Sequence, residues 1–84
     1  MITVIYFARL REALGKASEQ IALPAGVSDL ESLRELLRKR GGAWAEELAD
    51  NRSVRAAVNQ DMAHGNTAVN DGDEIAVFPP VTGG

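Results

Sequence analysis

One stretch of this chain carries sustained helical periodicity, and β-branched runs flank it on both sides. Leu30, Leu33 and Leu37 recur at three- and four-residue spacing, with Leu36 widening the stripe, so one face of a helix is apolar and the other polar. Ser28-Asp29-Leu30-Glu31 has the spacing of a capping box, with Ser28 as N-cap and Glu31 three residues on. Arg38-Lys39-Arg40 sets positive charge against the C-terminal end of the helix dipole, and Gly41-Gly42 stops the helix. Such a stripe must be buried against something, and 84 residues leave room for one small domain with one core.

Strands supply the other layer. Residues 2–8 are β-branched and aromatic. Alternation puts Ile2, Val4 and Tyr6 on one face and Thr3, Ile5 and Phe7 on the other. The threonine marks the second set as the outer face, which leaves Ile5 and Phe7 as apolar side chains on it. Arg9 to Leu14 reads as a turn or two of helix closed by Gly15, and Ser18 to Leu23 as a second strand broken by Pro24-Ala25-Gly26. After the main helix, Ala43 to Ala49 is a short second helix with Trp44 and Leu48 four apart, Trp44 being a core anchor. Val54 to Asn59 is a third strand, with Val54, Ala56 and Val58 inward and Arg55 and Asn59 outward. A brief fourth strand is expected near Thr67 to Val69, Asn70-Asp71-Gly72-Asp73 is a turn, and Glu74 to Phe78 is the last strand. In it Ile75 and Val77 share one face and Ala76 and Phe78 the other.

This order predicts an α+β fold: a mixed sheet of four to five strands, one main helix across one face, and a short second helix. It is the β-grasp arrangement of ubiquitin. By that analogy the first and last strands lie side by side at the sheet centre.

Composition narrows the function. A net charge of −3 and a pI near 5.0 argue against a nucleic-acid binder, which needs a basic footprint. With no cysteine, the chain has no disulfide, no thiolate zinc site and no thiol nucleophile. The N-terminal apolar run lacks a basic lead-in and a cleavage site, and no run reaches membrane-spanning length, so the cytoplasm is the expected location. His64, the only histidine, reads as a solvated loop residue; Glu46-Glu47 and Asp71/Asp73 read as surface charges, and Arg38-Lys39-Arg40 as a solvated helix end. No triad, metal site or carboxylate pair is expected, and no bound cofactor. On its own side chains the protein is not expected to be an enzyme.

The C-terminal segment, Phe78-Pro79-Pro80-Val81-Thr82-Gly83-Gly84, is more specific. Two prolines remove two backbone donors and end the strand ladder, so residues 79–84 are expected to form an extended tail on a domain of residues 1–78. Six extended residues reach roughly 18–20 Å. Two glycines without Cβ fit a channel too narrow for other residues, and a carboxylate on Gly84 is a deliverable chemical group. At the tail's root, Ile5, Phe7 and Phe78 are expected to gather on the outer face, and a cluster of exposed apolar groups marks an interface.

Three segments carry a family resemblance. Ile2-Thr3-Val4-Ile5-Tyr6-Phe7-Ala8 with Arg11-Glu12, Ala56-Ala57-Val58-Asn59-Gln60, and Asp71 through Gly84 resemble the MoaD family of ubiquitin-like sulfur carriers, the small subunits of molybdopterin synthase. The closing segment is the specific part; the Ala63 to Thr67 loop matches least. The resemblance implies that Gly84 is adenylated by an ATP-using, E1-like activating enzyme and converted to a thiocarboxylate. The sulfur is then donated to cyclic pyranopterin monophosphate inside the large subunit, in a heterotetramer of two small and two large subunits whose catalytic side chains belong to the large ones. It further implies that Pro79, Pro80, Val81, Thr82 and Gly83 thread the channel, and that Phe7, Arg11, Met62 and Phe78 face the partner. Two alternatives stand beside it: a sulfur carrier for thiamine thiazole synthesis or tRNA thiolation, and a ubiquitin-like binding or conjugating module. Phe78-Pro79-Pro80-Val81-Thr82 favours the molybdopterin pathway.

Overall fold

The structure is a computed structural model and describes residues 1–80; Val81, Thr82, Gly83 and Gly84, four of the expected tail residues, lie outside the described residues. The elements in chain order are β1 (Ile2–Tyr6), α1 (Ala8–Leu14), β2 (Ser18–Ile21), α2 (Leu30–Arg38), α3 (Gly42–Glu47), β3 (Arg55–Val58), β4 (Asp61–Met62) and β5 (Glu74–Phe78). They form one sheet in the order β2-β1-β5-β3-β4. β1 and β5 are parallel neighbours at its centre, with Val4 opposite Ile75 and Tyr6 opposite Val77. The other three pairings are antiparallel. This is the β-grasp arrangement, and the central pairing expected from ubiquitin is present.

The core lies between one sheet face and the helices. Ile2, Val4 and Tyr6 of β1 and Ile75 and Val77 of β5 are buried, as alternation predicts, against Leu30, Leu33 and Leu37 of α2 and Leu48 after α3. Leu10 and Leu14 bring α1 into the same cluster. Gly15 closes α1 in the left-handed conformation at φ 71°, its N–H donating to the Arg11 carbonyl.

Several local expectations are corrected. The cap of α2 is Asp29, not Ser28. Its carboxylate accepts from the Ser32 N–H at 2.8 Å, while the Ser32 hydroxyl accepts from the Asp29 N–H at 3.2 Å. The box is displaced by one residue because Ser28 and Asp29 are held extended against the chain returning before β5. The Ser28 carbonyl accepts from Val69, and Asp29 bridges Ala68. That bridge is all that stands where a fourth strand near Thr67 to Val69 was expected; β4 is Asp61–Met62, paired to Val58 and Ala57. Asn59 is not a strand residue. Asn59 and Gln60, at φ 50° and 73°, make the two-residue turn of the β3–β4 hairpin.

The basic triplet is not simply a solvated helix end. Arg38 pairs with Glu35 and Asp50. Arg40 reaches Glu19 of β2 at 2.8 Å and lies over the Trp44 ring, 4.5 Å from its centroid. Trp44 in turn meets Tyr6 edge to face at 5.4 Å, and the Tyr6 hydroxyl donates to Glu19 at 2.7 Å. This ring of contacts ties β2, β1 and the α2–α3 junction together.

Candidate functional site

The opposite sheet face carries an apolar row that crosses four strands. Met62 of β4 lies opposite Ala57 of β3, Ala57 opposite Ala76 of β5, and Ala76 opposite Ile5 of β1. Residues opposite one another in a sheet share a face, so these four side chains stand in line. The alanines make the row's centre flat. Met62 at its end is 60% exposed. One step toward the C-terminal end of β5, Arg55 lies opposite Phe78.

Phe7 completes the patch for a local reason. It continues the extended backbone of β1, its N–H donating to the Val77 carbonyl at 3.0 Å, which sets it beside Phe78. Ala8 then turns into the left-handed region at φ 55°, uncommon for a residue with a Cβ. That turn takes the chain off the sheet into α1. The Phe7 ring is left on the outer face, 46% exposed, while Leu10 and Leu14 go to the core. Arg11, exposed on α1, follows Phe7 by about one helical turn.

Pro79 and Pro80 leave β5 at this margin. Both are half-buried, and they line a cavity of about 210 Å³ with Arg9, Leu10, Glu47, Arg52, Ser53 and Val54. Two fixed contacts shape its wall. Arg9 donates to both Glu47 carboxylate oxygens, at 2.7 and 3.0 Å. Arg34 of α2 donates to the carbonyls of Leu48, Ala49 and Arg52, which pins the loop leading into β3. The first two tail residues therefore sit against a built surface, and the direction in which the chain leaves the sheet is set.

The ionisable groups whose behaviour is moved lie elsewhere and serve the fold. Burial pushes the Glu19 carboxyl upward, but hydrogen bonds from Arg40 and Tyr6 outweigh it and hold the group below its ordinary value. Burial, reinforced by the bond to Glu19, pushes the Tyr6 hydroxyl far up, in keeping with its role as the donor to Glu19. The Asn70 N–H and the Asn59 amide hold Asp73 down, closing the turn before β5.

The structure thus brings Phe7, Phe78, Ile5 and Met62 onto one face, with Pro79 and Pro80 at its edge and Arg11 on the adjoining helix. Gly84 and the rest of the tail lie outside the described residues. Sequence reasoning did not assign Ala57, Ala76 or Arg52 to the site. The period-two pattern of β3 and β5 contained the signal for the alanines; nothing local to Arg52 pointed to the tail root. Among the described residues this face offers no nucleophile and no paired acid and base. It is an apolar surface with Pro79 and Pro80 at its margin.

The ThiS family matches residues 4–84. The molybdopterin synthase sulfur carrier subunit of Escherichia coli is 40% identical over 84 residues, covering the whole of both chains. A Pyrococcus furiosus structure assigned as molybdopterin converting factor subunit 1 superposes with a TM-score of 0.77 at 31% identity, covering 95% of this chain and 97% of that one. A structure of subunits 1 and 2 of the Helicobacter pylori molybdopterin-converting factor in complex contains a chain with a TM-score of 0.66 at 27% identity, covering 99% and 97%. The chain belongs to the ThiS family and, within it, to the molybdopterin synthase sulfur carrier subunits.

Proposed function

We propose that the chain delivers sulfur on the Gly84 carboxylate, and that the outer sheet face seats it on the large subunit of molybdopterin synthase. The carboxylate oxygen attacks the α-phosphorus of ATP within an E1-like activating enzyme, and pyrophosphate leaves. The resulting acyl adenylate has a good leaving group. A sulfur donor attacks its carbonyl carbon, AMP departs, and Gly84 ends as a thiocarboxylate. That sulfur is then transferred to cyclic pyranopterin monophosphate inside the large subunit, and Gly84 returns to carboxylate with an oxygen from water. A dithiolene holds two sulfurs, so each product takes two deliveries.

In this reading Phe7, Arg11, Met62 and Phe78 contact the partner, Pro79 and Pro80 aim the tail, and Val81, Thr82 and Gly83 extend it without charge or bulk. The chain carries the cargo and no catalytic side chain. It binds no cofactor of its own, works in the cytoplasm, and assembles as two small subunits on two large ones. What carries the proposal is the coincidence of the apolar patch, completed by Phe7 and Phe78 beside the row, with the double proline that begins the tail. The complex of the two Helicobacter pylori subunits supports a large-subunit partner.

The test is intact-mass measurement after incubation with the cognate activating enzyme, ATP and a sulfur donor. Replacement of one oxygen by sulfur, localised to Gly84, is expected. An unchanged mass with an enzyme that sulfurates another carrier would sink the proposal. Adding the large subunit and the cyclic pterin then separates molybdopterin formation from the other sulfur-transfer pathways.

A further inference from the structure

The docking face is not purely apolar: Arg55 on its tail end, and Arg52 in the cavity at the tail root, carry charges that nothing among the described residues neutralises. Arg55 opens β3, is exposed, and lies directly opposite Phe78, so its side chain shares the outer face with that ring. Arg52, three residues earlier, lines the cavity that holds Pro79 and Pro80, and its backbone is fixed there by the bond from Arg34 to its carbonyl. Neither guanidinium makes an ion pair among the described residues, whereas Arg9, Arg38 and Arg40 each do.

The opposite end of the same strands is rich in carboxylates, although the N-terminal ammonium there pairs with Asp71. Asp61 begins β4 beside Val58, and Asp71, Asp73 and Glu74 lie at the start of β5. Glu12 and Glu46 are on α1 and α3, not on the strands. The one strand cation, Arg55, thus lies at the tail end, the strand carboxylates Asp61 and Glu74 lie at the far end, and the third, Glu19 of β2, is neutralised by Arg40.

We infer that Arg55 and Arg52 are specificity-determining residues, and that the large subunit presents carboxylates at the rim of the channel that takes the tail. An unpaired guanidinium next to a half-buried ring loses hydration when the face is covered, and an acidic partner group compensates. Charges of this kind act on the encounter, favouring the tail-first orientation over the reverse, in which the acidic end meets the acidic rim. The proposal rests on the large subunit being the partner, the reading given above.

The experiment measures affinity and association rate between the purified large subunit and four chains: the unaltered one, Arg55→Glu, Arg52→Glu, and Arg55→Lys. Thermal unfolding of each free chain shows whether folding is intact. Each charge reversal is expected to weaken binding about tenfold or more at low salt, chiefly by slowing association, with the difference shrinking as ionic strength rises. Arg55→Lys keeps the sign and recovers most of the rate. Reversals that bind as the unaltered chain does, or faster, overturn the inference, as does a loss that salt leaves unchanged, which points to packing. Failure of the unaltered chain to bind the large subunit removes the partner assignment itself and this inference with it. Binding by the unaltered chain with insensitivity to both reversals removes only the inference.

Discussion

Replacing Phe78 by alanine separates a docking residue from a core residue, because the two roles predict opposite orderings of two losses. Phe78 is half-buried at the end of β5, on the face away from α2. Full burial of a phenylalanine side chain contributes about 1.5–3 kcal/mol, so a half-buried ring contributes about 1 kcal/mol to folding. Truncation there opens onto solvent and leaves no closed cavity to add the further cost seen in cores. In a complex the same ring is fully covered beside Phe7, and an aromatic at the centre of a patch typically contributes 2 kcal/mol or more, about thirtyfold in Kd. Urea unfolding of the free chain gives the first loss, and calorimetric titration with the large subunit gives the second. The expected result is a stability loss near 1 kcal/mol with a binding loss at least twice as large. Met62→Ala serves as the companion: at 60% exposure its removal is expected to change stability by less than about 0.5 kcal/mol while still weakening binding. A stability loss above about 3 kcal/mol for Phe78→Ala with binding unchanged would refute the assignment and place the ring in the core.

Other consequences are as direct. Glu19→Gln leaves Arg40 without its charge partner and weakens the bond from Tyr6, at an expected cost of about 1–2 kcal/mol in urea unfolding at neutral pH. Because the folded-state pKa of Glu19 lies below its ordinary value of 4.5, its stabilisation is present above that pH and is lost as pH falls through the lowered folded value. The gap between the unaltered chain and Glu19→Gln therefore closes in acid, and a gap that stays constant down to pH ~2 would contradict the linkage. Asp29→Ala is expected to cost about 1 kcal/mol and Ser28→Ala almost nothing, since only Asp29 caps α2 through its side chain; the reverse order in melting temperature would restore the cap read from sequence. Removing Gly84 is expected to abolish sulfur loading, read by intact mass, without moving the melting temperature; a large drop would make the tail structural.

The parts of the fold legible in the sequence are those where a side-chain period meets a buried face. Ile2, Val4 and Tyr6, then Ile75 and Val77, then Leu30, Leu33 and Leu37 state their periods openly, and all are core. The readings that failed concern residues whose conformation is decided from a distance. Ser28 and Asp29 are equivalent capping candidates by type, and only the pairing of this segment with Ala68 and Val69 selects Asp29. Asn59-Gln60 lacks the glycine that usually announces a two-residue hairpin, and it holds positive φ because the Asn59 side chain is bonded to Asp73 and Glu74 across the sheet. Arg40 looked solvated because its partners, Glu19 and Trp44, stand on different elements. The proposed docking face was half legible: aromatics on the outward set of β1 and β5, Phe7 and Phe78, declare themselves, whereas Ala57 and Ala76 join them only once register sets them between Met62 and Ile5.

The parallel pairing of β1 with β5 is what joins face and tail. Parallel neighbours end at the same side of a sheet, so the residue after Tyr6 and the residue after Val77 emerge together, and Phe7 and Phe78 share one spot with Pro79 beside them. Were the pair antiparallel, five-residue strands would separate the two rings by about 16 Å, and the tail would leave from the far end of the apolar row. Central placement matters as much as direction. β5 is hydrogen-bonded on both sides, to β1 and β3, so the tail starts from a strand that cannot fray as the edge strands β2 and β4 can. The prolines then end the ladder at Phe78, against a wall held by the Arg9–Glu47 pair and the Arg34 bonds. A carrier that must present a chain end repeatedly at one point in a partner needs a fixed origin for that end, and this topology supplies it from the middle of the sheet.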